Sequence, residues 1–242
     1  MATERARETR RNGQEYVPER FRIDDQAQID RLSDEIRALA REKNAIIVAH
    51  NYQLPEVQDV AHYVGDSLGL AREAQKADHD RIVFCGVHFM AESAKVLNPD
   101  KKVLLPNLSA GCALADSISP ESLYEWKERY PGHAVMTYIN STADVKALSD
   151  ICCTSANAVS VARSLPEKKI LFTPDRHLGS WVAKQLPDKE FAIYDGVCPT
   201  HDVLRDASVK RARSFSPEAV VIVGLAGDEH RPIPAADAVA DG

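Results

Sequence analysis

The sequence has 242 residues, of which 44% are hydrophobic and 27% charged, as in ordinary globular proteins. Its net charge of -6 does not provide the positive potential that attracts nucleic acid, so we expect no nucleic-acid partner. No apolar run approaches the ~20 residues that span a bilayer, and the charged N-terminus lacks the apolar segment of a secretory signal. We therefore expect a cytoplasmic protein with no membrane partner, whose five cysteines stay reduced.

The residues predict a disordered, charge-dense segment over 1–28, followed by strands that alternate with helices. A helical apolar spacing begins at Ile29. The predicted strands are 45–49, 81–85, 102–105, 134–138, 151–153, 169–172, 191–194 and 219–223. The predicted helices after the first are 56–63, 67–76, 89–97, 120–130, 143–148, 157–165, 178–185 and 202–213. Strands that are apolar on both faces and separated by helices indicate an α/β fold with small parallel sheets in three-layer modules.

The sequence also repeats itself at a spacing of 88 residues. The equivalent pairs are His50 and Tyr138, Ser67 and Ser155, and Asp100-Lys101 and Asp188-Lys189, while Cys112 and Cys198 follow at a spacing of 86. The strand at 219–223 resembles the opening strands of both copies. We therefore expect one α/β module at 29–115, a second at 116–205, and the start of an incomplete third module with an irregular tail at 206–242.

The cysteines divide into two groups by their positions. Cys112 and Cys198 lie in glycine-containing loops after a strand, where ligands bind in parallel α/β sheets. Two symmetry-related thiolates could hold a metal ion or an iron–sulfur cluster, and the alternative is that both are small buried residues. Cys85 and Cys152 are predicted to be core residues, and Cys153, at a strand end, fits either group.

Polar residues after two equivalent strands form a second candidate site. His50-Asn51-Tyr52-Gln53 follows the first strand, and Tyr138 precedes Asn140, Ser141 and Thr142 in the second copy. Imidazole and phenol groups transfer protons or donate hydrogen bonds to carboxylates. Ser67 and Ser155 stand at or just before the start of a predicted helix, where they could cap it, help to bind an anion, or do both. No P-loop or GxGxxG pattern occurs, so nucleotide binding is not expected.

From about residue 29 to residue 223, a series of motifs resembles quinolinate synthase, in order and at similar spacing. The motifs are Ala49-His50-Asn51-Tyr52-Gln53, Gly65-Asp66-Ser67, Phe89-Met90-Ala91-Glu92, Asn98-Pro99-Asp100-Lys101-Lys102, Tyr138-Ile139-Asn140-Ser141-Thr142, Cys153-Thr154-Ser155-Ala156-Asn157 and Pro174-Asp175-Arg176. The resemblance implies three similar modules around a pseudo-threefold axis. It also implies an oxygen-sensitive [4Fe–4S] cluster on that axis, held by one cysteine from each module. Cys112 and Cys198 match the first two ligand motifs.

The resemblance further implies a transferase of NAD biosynthesis. The family condenses iminoaspartate, which an L-aspartate oxidase supplies, with dihydroxyacetone phosphate to form quinolinate, and the cluster acts as a Lewis acid. By the motifs, the substrate-binding residues are His50, Ser67, Tyr138, Ile139, Asn140, Ser155 and His201. Tyr52, together with His50 and Tyr138, resembles the catalytic groups that move protons.

The sequence departs from the family pattern near its C-terminus. The family continues the third opening strand with His-Pro-Glu, whereas Gly224-Leu225-Ala226 stands here, and neither the later Ser/Thr motif nor the third cysteine follows. We expect two thiolates to hold a cluster weakly, so this chain could be inactive. The alternative is a non-catalytic two-module protein that binds a small anion or a metal. A structural zinc module is a further alternative, which the absence of a CxxC pair disfavours.

Overall fold

The computed structural model describes residues 23, 25–203 and 206–215. The first half contains α1 (Gln26–Glu42), β1 (Ala45–His50), α2 (Pro55–Val60), β2 (Tyr63–Gly65), α3 (Ser67–Lys76), β3 (Arg81–Cys85), α4 (His88–Leu97) and β4 (Lys102–Leu104). A 3₁₀ helix at Ala115–Ser117 connects it to the second half. There follow α5 (Pro120–Arg129), β5 (Ala134–Tyr138), α6 (Ala143–Ala147), β6 (Ile151–Cys153), α7 (Ala158–Ser164), β7 (Lys169–Thr173), α8 (Arg176–Gln185), β8 (Glu190–Ile193), α9 (Pro199–Asp202) and α10 (Asp206–Phe215).

The strands form two four-stranded parallel sheets with the same topology. Their orders are β2-β1-β3-β4 and β6-β5-β7-β8. The register repeats as well, because Val48 pairs with Tyr63 in the first sheet, and Met136 pairs with Ile151 in the second, each 88 residues later. The predicted α/β class, the small parallel sheets and the repeated module are therefore confirmed.

Equivalent side chains make the same bonds in the two modules. Lys101 Nζ donates hydrogen bonds to the carbonyl oxygens of Ala74 and Ala77, at the end of α3. Lys189 Nζ donates to the carbonyl oxygens of Leu165 and Glu167, at the end of α7. The lysine of the repeated Asp-Lys dipeptide thus links the end of α3 to the start of β4, and the end of α7 to the start of β8.

Helices cover both faces of the second sheet. Side chains alternate along β5, so Val135 packs on one face with Leu123 of α5 and Val145 of α6, whereas Met136 and Tyr138 pack on the other face. The latter face meets α7 and α8 through Ala158, Ala162, Leu178 and Val182. This helix–sheet–helix arrangement is the predicted three-layer module.

Two predicted elements are wrong in detail. The helix over 56–63 ends at Val60, because His62 binds the edge of β1: its N–H donates to Ile47 O (2.8 Å), and its Nδ1 accepts the Ile47 N–H (3.0 Å). Tyr63 then begins the short edge strand β2, which no prediction included. The predicted helix over 202–213 is replaced by α9 and α10, with Val203 outside both.

The predicted third-module strand at 219–223 lies outside the described residues, as does most of the segment predicted to be disordered. Helix α1 begins at Gln26, where Asp25 caps it by accepting the Ala27 N–H. Among the helices of the described residues, none combines the length and the apolar composition of a transmembrane segment.

Candidate functional site

The loops that carry Cys112 and Cys198 are anchored in the same way. The first residue of α4 donates its N–H to Ala110 O, and the first residue of α8 donates its N–H to Gly196 O, both at 2.8 Å. Each accepting residue stands two positions before the cysteine. The two-residue change in spacing, from 88 to 86, therefore lies in the connection after β4 and β8, and the two cysteines are structurally equivalent.

Each cysteine also opens a turn of the same kind. Cys112 O accepts the N–H of Asp116 at 2.9 Å, and Cys198 O accepts the N–H of Asp202 at 2.8 Å. A backbone bond across four residues is one turn of helix, which fixes the direction of the side chain at its start. The same backbone geometry thus places both thiols, Cys112 in the first module and Cys198 in the second.

The two thiols belong to one partly buried cluster. Cys112 and Cys198 both pack against the core group that contains Tyr138 and Ile139. Burial raises the pKa of the Cys112 thiol, the backbone N–H groups of Ala115 and Leu114 lower it, and the nearby Cys198 and Asp116 raise it further. Backbone N–H donors aimed at sulfur are typical of thiolates that bind metal. A pair of neighbouring thiolates needs a positive partner, which a metal centre supplies.

The other three cysteines have different surroundings, although Cys153 is a buried member of the same core group. Cys85 is half-buried within β3, and burial raises its pKa. The prediction that Cys152 is a core residue is wrong, because it is exposed on the edge strand β6, where successive side chains point to opposite faces. Its neighbour Cys153 points inward, and burial raises its pKa far above the ordinary value. A buried thiol of this kind is inert.

His50 and Tyr52 form a pair at the end of β1. The His50 side chain is buried, and its Nδ1 accepts the backbone N–H of Tyr52 at 3.2 Å. In the neutral imidazole this leaves the proton on Nε2. The Tyr52 ring meets the His50 ring edge-on at 4.4 Å between centroids and is 68% exposed. The pair combines a fixed imidazole with a phenol that solvent or a ligand can reach.

The end of β5 carries the second group of predicted site residues. Tyr138 and Ile139 are buried, and the Ile139 N–H donates to Cys153 O at 2.8 Å. The next residue, Asn140, has a buried Oδ1 atom with no hydrogen-bond partner among the described residues. A buried acceptor without a donor costs free energy and is a common feature of ligand sites.

His201 lies on α9, one turn after Cys198. Its backbone N–H donates to Cys198 O at 3.0 Å, which ties the histidine to the cysteine turn. Its Nδ1 atom is buried and, like Asn140 Oδ1, finds no partner within the described part of the chain. Two of the residues chosen from the sequence therefore present buried polar atoms that a ligand could satisfy.

The predicted capping roles of Ser67 and Ser155 are wrong. Asp66 is the N-cap of α3, since its Oδ1 accepts the Gly69 N–H at 2.7 Å, and Ser67 is the first helical residue and fully buried. Ser155 lies in a turn ahead of α7, whose N-cap is Asn157. A carboxylate one residue earlier reaches the free N–H groups of α3 better than the serine hydroxyl does.

Sequence reasoning missed an ionic group beside the Cys198 turn. Arg176 binds Asp195 through Nη1 (2.7 Å) and Asp202 through Nη2 (3.4 Å), while His177 Nε2 lies 2.7 Å from Asp202. Asp202 is the residue whose N–H closes the Cys198 turn. The motif Pro174-Asp175-Arg176 was visible in the sequence, but nothing there linked it to an aspartate 26 residues later.

The donor set for a metal is limited in the described part of the chain. In residues 25–203 and 206–215, no three His, Cys, Asp or Glu side chains come together as a metal site. Any metal centre that Cys112 and Cys198 share would therefore take only these two ligands from the described residues.

Lys146 is a partly buried cation beside this site, and it gives a pH-dependent prediction. Burial lowers its pKa from 10.5 to about 8, against opposing effects of Cys152 and Glu92. Between these pH values the unfolded chain binds more protons than the folded chain, so the free energy of unfolding gains a contribution as pH rises. The full shift corresponds to about 3 kcal/mol.

From pH 7 to pH 10, the free energy of unfolding of the wild type should rise by about 1–3 kcal/mol relative to that of Lys146→Met. Urea unfolding at each pH measures it. The comparison is made in a Cys152→Ser background, because Lys146 lowers the pKa of the Cys152 thiol and its loss would change that titration as well. The raised pKa values of Cys85, Cys112 and Cys153 act on both proteins and cancel in the difference. A difference that stays constant with pH would show that the Lys146 pKa is not lowered.

Comparisons with known proteins agree with the motifs. A family model described as NadA, quinolinate synthetase A protein, matches residues 34–238. A curated protein named quinolinate synthase from Thermodesulfovibrio yellowstonii is 51% identical over 195 residues, and one from Geobacter metallireducens is 55% identical over 195 residues. Each match covers 81% of this chain and 64% of the relative. A third, from Aquifex aeolicus, is 53% identical over 196 residues, or 81% of this chain and 61% of the relative. This chain thus spans less than two thirds of the length of these relatives.

Proposed function

This chain belongs to the quinolinate synthetase A family, and we propose that it acts as a quinolinate synthase in NAD biosynthesis. The observation that carries the proposal is the structural equivalence of Cys112 and Cys198. Two modules of one fold bring these thiols into a single cluster with Tyr138. Buried acceptors on Asn140 and His201 supply the polar part of a ligand site.

The residues present fit two of the ligands of a [4Fe–4S] cluster. Cys112 and Cys198 would hold it, because both are half-buried thiols and Cys112 receives backbone N–H donors from Leu114 and Ala115. Bound there, a cluster with an iron free of protein ligands would supply a Lewis acid for substrate oxygen atoms. The surrounding apolar side chains, Tyr138 and Ile139 among them, limit the access of water.

The proposed substrates are iminoaspartate and dihydroxyacetone phosphate, which condense to quinolinate with release of phosphate and water. Their carboxylate and phosphate groups suit hydroxyl, amide and backbone N–H donors. We assign substrate binding to His50, Ser67, Tyr138, Ile139, Asn140, Ser155 and His201. Proton transfer falls to His50, Tyr52 and Tyr138, because the condensation removes protons from carbon and nitrogen and returns them to leaving oxygen atoms.

The proposal also implies a functional partner and a cellular compartment. Iminoaspartate is a hydrolysable imine, so an enzyme that oxidises L-aspartate must supply it, and an L-aspartate oxidase is the proposed functional partner. Thiolate ligands require a reducing compartment, which favours the cytoplasm.

Anaerobic reconstitution of the full 242-residue chain with iron and sulfide tests the proposal. We expect thiolate–iron absorption and, with iminoaspartate and dihydroxyacetone phosphate, quinolinate detected by mass spectrometry. A chain that binds iron but forms no quinolinate would support the non-catalytic alternative. A chain that binds no iron at all would overturn the assignment of the two thiols.

A further inference from the structure

A polar contact joins the two modules beside the proposed site. Glu92 of α4 accepts the N–H of Ala143, the first residue of α6, through Oε2 at 2.9 Å. From α6, Lys146 Nζ donates back to Ser93 Oγ at 3.1 Å, and it lies 5.4 Å from the centre of the Phe89 ring. We call these four residues and Ala143 the clasp. The clasp includes Phe89 and Glu92 of a motif that the proposed chemistry does not use.

Lys146 also binds the loop that carries Asn140. Its Nζ donates to the carbonyl oxygen of Ser141 at 2.5 Å. Ser141 is fully buried, its Oγ donates to Tyr138 O at 3.1 Å, and its N–H donates to Ile139 O at 2.8 Å. The loop 138–141 is therefore a tight turn that is closed on itself, and Lys146 holds its last carbonyl.

Glu92 connects the clasp to the loop that carries Cys112. The Glu92 carboxylate lies 3.6 Å, through Oε1, from Nδ1 of His88, the first residue of α4. The backbone N–H of His88 donates to Ala110 O, two residues before Cys112. Since an α-helix is rigid over ten residues, α4 connects the Cys112 loop to the clasp.

We propose that Lys146 is a positioning residue that fixes the loop 138–141 of the second module against α4 of the first, and so sets Tyr138 and Asn140 relative to Cys112. The positioning of the loop does not depend on the ligand, whereas its value for catalysis rests on the proposed function. A cation under an aromatic ring, with two oxygen acceptors, exchanges solvation for fixed contacts and holds its partners in one geometry.

The test compares Lys146→Met with Lys146→Arg and with Lys127→Met in the full chain. Lys127 is the matched control, because its Nζ donates to Leu148 O at 2.7 Å, at the opposite end of α6 from the site. Ser93→Ala is a milder variant that removes one acceptor of Lys146, for use if Lys146→Met does not fold. The measurement is amide hydrogen exchange over residues 139–142, corrected for the global stability of each variant.

We expect Lys146→Met to speed exchange over 139–142 by about tenfold or more, Lys146→Arg to restore most of the protection, and Lys127→Met to leave it unchanged. A uniform change over the whole chain in Lys146→Met, or the same local change in Lys127→Met, would overturn the proposal. In reconstituted protein that forms quinolinate, the loss should appear in kcat/KM. If no variant forms quinolinate, the exchange result still decides the positioning role, and only the proposed function fails.

Discussion

Replacing Cys112 or Cys198 with serine should lower the iron bound after anaerobic reconstitution by at least about tenfold, because a serine hydroxyl stays protonated where a thiol ionises. Serine has nearly the volume of cysteine, and both sites are only half-buried, so the fold should survive. Iron and acid-labile sulfide per chain, together with the thiolate–iron absorption band, measure the effect. Far-ultraviolet circular dichroism before reconstitution checks that each variant is folded.

Cys85→Ser and Cys152→Ser are the matched controls for this experiment. Cys85 is a half-buried strand residue, and Cys152 is an exposed one, so each matches the ligand cysteines in chemistry while lying away from their cluster. Both controls should bind iron as the wild type does. Equal loss in all four variants would mean that the two loop cysteines are not ligands and that iron binding depends on thiols in general.

The strands were the most predictable part of the fold. Residues 45–49 and 134–138 are apolar on both faces because each strand lies between two others in its sheet and is covered by helices, and burial of this kind leaves a clear signal in the sequence. The repeat added the equivalence of the modules. In contrast, β2 has three residues, two of them exposed large side chains, and its pairing arises from the backbone. Such a strand leaves no apolar pattern to detect.

Without the family motifs, the site was predictable only where the repeat supplied a second copy. Cys112 could be matched to Cys198, and His50 to Tyr138, so their alignment in space followed from sequence arithmetic. The contacts between modules have no such internal copy. Nothing in the sequence indicates that Lys146 reaches Ser93, 53 residues away, or that Glu92 meets the N–H of Ala143. Such pairs depend on how the modules pack, and many lysines and aspartates would satisfy the same local pattern.

Replacing Gly196 with alanine should destabilise the protein by about 1–3 kcal/mol and lower its bound iron, although both cysteines remain. A Cβ atom at this position would overlap the carbonyl oxygen of Pro174 and lie 2.6 Å from Ser117 Oγ. The chain can relieve this overlap only by moving the loop, which would break the pairing of Gly196 with Asp175 and shift Cys198 away from Cys112. Urea unfolding and iron content after reconstitution measure the two effects.

The first module shows why this position must be glycine in the second. The residue equivalent to Gly196 is Ala110, and the residue equivalent to Pro174 is Gly86, so each module keeps one small residue at this crossing. Gly111→Ala is the matched control, since its Cβ would approach only a movable carboxylate oxygen of Asp116, at 3.2 Å, and backbone at 4.0 Å. We expect that variant to keep its iron and nearly all its stability. If Gly196→Ala did the same, the close approach of the Cys198 loop to Pro174 would not be what positions the second thiol.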